Sequence, residues 1–442
     1  MPHVVILIPG IMGSELKLGD EVVWPGSTWS LIGAYTKMDQ LLDGGVVATD
    51  CIRSFYLPQY SNLIKKLANW GFSEENKTLV ICAYDWRKSN AESAKTLATR
   101  IDEVIAREGE KVTISLVAHS MGGLVARYYL ESGKYSGASW NAVKNLITIA
   151  TPHRGAALAL PVVAGLEKRL FLSAAQVKQL CDDSRYPGAY ELLPHSDQPV
   201  AWDDRRIAQI ALIDIYDPAV AQQLGLNLTN LATAKAFHET LRNGSRPSHT
   251  NYFCFSGTAE DTATYVRIRE RDNGLLADKV EQKSGGDATV PIWSSTLAGA
   301  RFLYVPGEHG TIYQGDLVKQ HLGALLGIEG TLAAGAPNEI SVNPQVVEPA
   351  KWLAVRLSFG SNITEFDGRV AIQRLTMDKD GKVSVAGDEA SYPLSYKGPE
   401  IDSFKLRLRS PEHTGHFQVS FFSKDAPQPA ATSELIVQAP NH

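Results

Sequence analysis

The residues best equipped for chemistry lie in Val112 to Arg127, VTISLVAHSMGGLVAR, where Ser120 is centred in Ala-His-Ser-Met-Gly. The apolar run before it reads as a strand and the run after it as a helix, so Ser120 falls on the tight turn between them. Such a turn pushes the hydroxyl out of the chain and brings neighbouring backbone against it, which is why small residues are needed at Ala118 and Gly122. Ala118 stands where glycine is commoner, and a methyl group still meets the requirement. The helix that starts here aims unpaired N–H groups at developing negative charge. The chemistry predicted is nucleophilic attack on a carbonyl carbon.

A serine hydroxyl is a poor nucleophile at neutral pH and needs a base, itself held by an acid. On a strand–turn–helix scaffold of this kind the acid and then the histidine follow the serine. Asp287 in GGDATVP and His309 in GEHG satisfy that order, and His309 comes just after the apolar run ending at Val305. Asp261, beyond the run Asn251 to Ser256, is the second candidate for the acid. His119 is expected to point away from the nucleophile, and His153 in TPHRG to pack rather than react. The oxyanion requires two backbone donors, and a comparable donor is typically worth about 10² to 10³ in rate. Met121 supplies one by position. Ile11 in IPGIMGS supplies the other, because Gly10 and Gly13 permit close backbone approach. No cofactor and no metal is expected to take part: Cys51, Cys82, Cys181 and Cys254 show no CxxC spacing.

The elements that must position these groups are short apolar runs at Val4 to Ile8, Leu79 to Ala83, Val112 to Val117, Leu146 to Ala150, Asn251 to Ser256 and Phe302 to Val305. Runs of this kind alternating with helices predict an α/β fold with a mostly parallel sheet covered on both faces. Ser89 with Glu92 reads as a capping box, followed by the apolar stripe Leu97, Ile101, Val104 and Ile105. From about 157 to 250 the strand signal stops and a helical cap is expected. A Gly/Ala/Pro/Asn-rich linker at 329–345 then closes a catalytic domain of residues 1–328. Beyond it Val355, Leu357 and Phe359, then Phe404, Leu406 and Leu408, then Phe417, Val419 and Phe421 alternate with polar residues. That period of two predicts a C-terminal all-β sandwich of about seven strands over 346–442.

A chain of 442 residues exceeds what one core usually fills, in keeping with two domains. A formal charge of -5 with scattered Lys and Arg gives no attraction for phosphate backbones, so nucleic acid is not an expected partner. The stretch Ala156 to Leu166 is interrupted by Pro161, followed by Glu167, Lys168 and Arg169, and falls short of the roughly 20 apolar residues of a membrane span. With no export pattern at the N-terminus and no paired cysteines, a cytoplasmic setting is expected.

Five motifs in order, PGIMGSEL at 9–16, YDWR at 84–87, AHSMGG at 118–123, TPHRG at 151–155 and GDATVP at 286–291, resemble the lecithin:cholesterol acyltransferase family of α/β-hydrolases. That family includes secreted acyltransferases, a lysosomal phospholipase and many bacterial relatives. The resemblance spans roughly residues 1–325 and does not reach the C-terminal sandwich. It implies a triad of Ser120, Asp287 and His309, an oxyanion hole at Ile11 and Met121, and a cap over an acyl-binding groove, with possible peripheral membrane contact through that cap. It implies further that Asp85 and Arg87 form a structural ion pair. WPG at 24–26 and the loop to Cys51 match a lid that secreted members close with a disulfide, although only one cysteine occurs here. The expected activity is cleavage or transfer of acyl groups of lipid esters, particularly phospholipids. Three alternatives stay open: an esterase for small esters or polyesters, an amidase or peptidase, and a scaffold whose sandwich engages a protein partner.

Overall fold

The computed structural model of the chain describes residues 2–440 except 27–34, 54–59, 206–210, 272–273, 329–338, 378–382, 425 and 427. It divides into two compact units, one of Met1–Pro25, Met38–Arg53 and Gln59–Gln314, the other of Gly26–Lys37, Ser54–Pro58 and Gly315–His442.

In the first unit the six apolar runs become β1 (His3–Ile8), β2 (Leu79–Ile81), β3 (Thr113–His119), β4 (Val143–Ile149), β5 (Asn251–Thr258) and β6 (Arg301–Pro306). They form one sheet in the order β6-β5-β4-β3-β1-β2, and every neighbouring pair is parallel. Val4 to Ile8 are all buried, as a parallel strand covered on both faces requires. The chain leaves β1 toward the β2 edge and returns past it to β3. The order therefore reverses between β1 and β3, the place where such sheets open a crevice beyond their carboxyl ends.

Helix α1 (Asn90–Glu108) buries Leu97, Ile101 and Val104, each worth about 1.5–3 kcal/mol relative to exposure. Its start differs from the expected capping box. Ser89 Oγ accepts from Ala91 N–H at 3.1 Å, but the carboxylate serving this end comes from Glu191, which accepts from Ser89 Oγ and Asn90 N–H at 2.6 Å each. A long-range carboxyl occupies the place local spacing reserves for Glu92. Helix α2 (Met121–Glu131) is buried along its whole length. It carries Arg127 and Glu131 inside as a pair at 2.8 Å, and Arg127 Nη1 also donates to the His153 carbonyl at 3.2 Å.

The cap departs from the expected purely helical insertion ending near 250. Helices Ala159–Val163, Ala174–Asp182, Pro218–Gln223 and Leu228–Asn243 are present, but so are strands Ala201–Asp203 and Ala211–Leu212. These join a hairpin, Glu260–Arg271 with Gly274–Gly286, in a four-stranded sheet. The insertion is thus split around β5. The hairpin escapes sequence reading because its buried face is Thr262, Thr264, Val266 and Ile268, half threonine, while Arg267, Arg269 and Arg271 dominate the composition.

The second unit holds the helix Asp316–Leu325 and six strands among the described residues: Glu339–Asn343, Val346–Val347, Trp352–Met377, Val383–Arg409, Gly415–Ser423 and Ala431–Val437. Instead of two separate facing sheets, they form one connected, barrel-like sheet. The difference from seven strands lies in the length of two of them. Trp352–Met377 pairs with Glu339–Asn343 through its first half and with Gly415–Ser423 through its second, and along its length with Val383–Arg409, in which pairing the register shifts between Ser358 and Ile363. The core includes Val355, Leu357, Phe359, Leu408, Phe417, Val419 and Phe421, residues whose alternation marks the strands in the sequence.

Candidate active site

Ser120 follows the last residue of β3 and caps α2 with φ 52° and ψ -126°, a conformation few non-glycine residues hold. Its N–H donates to the Ile149 carbonyl at the end of β4 (2.9 Å), and its carbonyl accepts from Gly123 N–H (3.0 Å). The turn after β1 lies directly against it, since a Cβ on Gly10 would come within 2.8 Å of Ser120 Cβ. A Cβ on Gly122 would meet the carbonyl oxygens of Pro9 and Ile8 at 2.5 and 2.6 Å. Ile11 sits on that turn, and Met121 carries the first N–H of α2, one of the helical donors without a partner inside the helix.

His309, beyond β6, reaches across the sheet edge so that Nε2 lies 2.9 Å from Ser120 Oγ and Nδ1 lies 3.0 Å from Asp287 Oδ2. Because the carboxylate accepts, Nδ1 carries the proton and Nε2 is free to take one from the serine. A second link fixes the pair: His309 N–H donates to the Asp287 carbonyl at 2.8 Å. Asp287 is fully buried, and its Oδ1 accepts from Thr289 and Val290 N–H at 3.1 and 2.6 Å. It is delivered by the hairpin that ends at Gly286, rather than by a strand of the central sheet. Burial would lower the His309 pKa, but Asp287 and Glu308 raise it above its ordinary value. Asp261 belongs elsewhere, with Oδ1 accepting from Ser284 N–H across the hairpin at 3.3 Å. His153 packs with Nε2 3.2 Å from Thr148 Oγ1.

Behind the nucleophile is a row that spacing did not reveal. Tyr60 Oη accepts from Gly10 N–H (2.8 Å) and lies 2.9 Å from His119 Nδ1, while His119 Nε2 lies 3.0 Å from the His309 carbonyl. A carbonyl only accepts, so His119 is protonated on Nε2 and Tyr60 donates to Nδ1. Burial pushes His119 down to about 3, which keeps it neutral. Tyr313 stacks on Tyr60 at 5.4 Å. Glu308, next to the base in GEHG, is buried, which raises its carboxyl to about 7, and its Oε2 has no hydrogen-bond partner among the described residues.

YDWR also holds the turn after β1. Tyr84 Oη donates to the Pro9 carbonyl at 2.8 Å, and Tyr84 N–H donates to Ser14 Oγ at 3.2 Å. Arg87 pairs with both Asp85 oxygens at 2.8 and 2.7 Å, donates to the Leu41 and Asp43 carbonyls, and stacks on Tyr186 at 4.4 Å. Trp24 Nε1 donates to the Met12 carbonyl at 2.9 Å; the lid region that begins beside it lies partly outside the described residues. All four cysteines are buried free thiols. Among the described residues no cluster of His, Cys, Asp and Glu could hold a metal, and no helix is long and apolar enough to cross a membrane.

A parallel sheet with a strand–Ser120–helix turn at its reversal point and His309 brought to it from the last strand defines an α/β-hydrolase. The family described as Lecithin:cholesterol acyltransferase matches residues 39–222, a stretch that includes Ser120 and Met121 but not Ile11, Asp287 or His309. The Lecithin-cholesterol acyltransferase-like 4 protein of Arabidopsis thaliana is 30% identical over 232 residues, 43% of this chain and 42% of that one. An uncharacterized Saccharomyces cerevisiae protein is 48% identical over 48 residues, 11% of this chain and 7% of its own. The chain thus spans less than half the length of the curated relatives it matches. A chain from the Tle4-Tli4 complex shares the fold, with a TM-score of 0.55 at 18% identity over 76% of this chain and 100% of that one. The chain is thus an α/β-hydrolase by its fold, and over residues 39–222 it is similar to the lecithin:cholesterol acyltransferase family.

Proposed function

We propose that the chain is a serine carboxylic-ester hydrolase or acyltransferase that works through an acyl-enzyme on Ser120 and acts on lipid esters. The observation that carries this reading is the 2.9 Å approach of His309 Nε2 to Ser120 Oγ, with Asp287 behind it at 3.0 Å. His309 takes the hydroxyl proton as Oγ bonds to the carbonyl carbon, and the oxyanion that forms is held by the N–H groups of Ile11 and Met121. The base then returns its proton to the departing alkoxide, releasing an alcohol. Water or a second alcohol, deprotonated by the same imidazole, frees the acyl group and restores Ser120.

The lipid preference, phospholipids above all, is supported by the family match, and the cap is the element that would touch a membrane surface. A cytoplasmic setting and a protein partner on the C-terminal unit belong to the same proposal. A second reading is an esterase for short esters, which the same Ser120, His309 and Asp287 arrangement would serve equally.

Labelling of the purified protein by a fluorophosphonate tests the mechanism: reaction in the wild type and none in Ser120→Ala is expected, whereas an unreactive wild type refutes it. Rates on phosphatidylcholine vesicles and on p-nitrophenyl acetate separate the two substrate readings, and turnover of acetate alone defeats the lipid one.

A further inference from the structure

The small cavity beside Ile11 is apolar along most of its wall, with Met12, Val162, Leu172 and Leu180 among its lining, but Arg169 also faces it. The second arginine there, Arg87, is committed to Asp85, with which it pairs at 2.7 Å. Among the described residues Arg169 forms no ion pair, although Glu167 lies within its electrostatic reach. Its Nη1 donates to the neighbouring Lys168 carbonyl at 3.0 Å, whereas Nη2 is sealed from solvent with no hydrogen-bond partner among the described residues. Glu167, the nearest carboxylate in sequence, is paired with Lys279 at 3.4 Å. A buried guanidinium nitrogen left without an acceptor is destabilising, and burial lowers the Arg169 pKa against the opposing effect of Glu167, so an anion that reaches the group is favoured twice over.

The side chain is held there by a closed turn. Arg169 N–H donates to the Leu172 carbonyl at 3.0 Å, and Leu172 N–H returns the bond at 2.9 Å, with Leu170 at φ 47° between them. Phe171 on the same turn is fully buried against Trp24, with ring centres 5.8 Å apart. Arg169 is also close enough to His309 to oppose its protonation electrostatically. The charge therefore faces a cavity shared with Ile11 of the oxyanion turn and lies within electrostatic reach of the base.

We propose that Arg169 is a specificity residue whose guanidinium receives an oxyanion carried by the substrate, a phosphate or a carboxylate, so that anionic esters are preferred over neutral ones. A planar fork with an empty donor matches either group, and a neutral ester would leave it unmatched. Its effect on turnover rests on the Ser120 mechanism proposed above; its effect on binding does not.

Binding is measured first, on Ser120→Ala protein, by titrating octyl phosphate, octanoate and 1-octanol below their aggregation concentrations. At least tenfold tighter binding of one or both anions than of the alcohol is expected, with phosphate against octanoate telling which oxyanion is read. Arg169→Gln in that background should remove the advantage and Arg169→Lys should keep part of it, thermal melting confirming that each is folded. Equal binding of all three ligands by the Ser120→Ala protein overturns the proposal without any Arg169 variant. Kinetics follow with dioctanoyl phosphatidylcholine and dioctanoylglycerol on the active protein. Arg169→Gln should lower the ratio of their kcat/KM values at least tenfold and move the acid limb of the neutral ester to higher pH, because a positive charge facing His309 is gone. An unchanged ratio with an unmoved limb overturns the role in specificity while the Ser120 mechanism stands. Loss of fluorophosphonate labelling in the wild type would strike that mechanism and leave the anion site to be judged by the titrations.

Discussion

His119 Nε2 donates to the backbone carbonyl of His309 at 3.0 Å, so the residue immediately before the nucleophile holds the main chain of the base. Tyr60 completes the link, joining His119 Nδ1 to Gly10 N–H on the oxyanion turn. One hydroxyl therefore ties the positions of base, nucleophile and turn together. Tyr60→Phe should lower kcat on a p-nitrophenyl ester about tenfold with little change in KM, and cost about 1–3 kcal/mol of stability from the orphaned Gly10 N–H. Urea unfolding and steady-state kinetics on the same preparation check both.

The acid limb of activity follows the charge on His309. The imidazole must be neutral to accept the serine proton, and its pKa is raised in the folded protein, so activity should fall to half above pH 6.5 and vanish on further acidification. Glu308 adds to the raise when ionised. Glu308→Gln should therefore move the limb to lower pH, whereas Asp287→Asn should cut kcat by about 10⁴. A pH profile of kcat/KM distinguishes the two variants, and a limb unmoved in Glu308→Gln would remove Glu308 from the account.

Glu191 caps α1 from a distance and is pushed up to about 8 by burial. Its folded pKa lies above the unfolded one, so its contribution is present at acid pH and is lost as the pH rises through about 8. Glu191→Ala orphans Ser89 Oγ and Asn90 N–H and should cost about 2–4 kcal/mol. Glu191→Gln keeps an acceptor and should flatten the fall in stability between pH 6 and 9, measured by thermal melting across that range.

Gly122 has no room for a methyl group, with two backbone oxygens within 2.6 Å of where it would stand. Gly122→Ala should lose about 3 kcal/mol and label more slowly with fluorophosphonate, since only movement of the turn that carries Ile11 relieves the clash. Melting temperature and labelling rate report the two effects separately.

The chemistry was legible in the sequence wherever the fold imposes a local pattern. A nucleophile elbow requires an apolar strand, small residues around Ser120 and a helix at once, so AHSMGG between VTISLV and LVAR is recognisable by itself. The six core strands show because covered parallel strands are continuously apolar. Chain order and motif context favoured Asp287 over Asp261 and pointed to His309, although they could not bring acid and base together. That needed the hairpin of Glu260–Arg271 and Gly274–Gly286, whose half-threonine inner face carries little hydrophobic signal. Tyr60, Glu191 and Arg169 became visible only in three dimensions. Each acts through one hydrogen-bonding group, met or left unmet by residues far away in the chain, and a single buried polar atom imposes no periodicity on its neighbours. Apolar patterning repeats along an element and can be read from a sequence, whereas a polar contact across the fold is decided by tertiary structure.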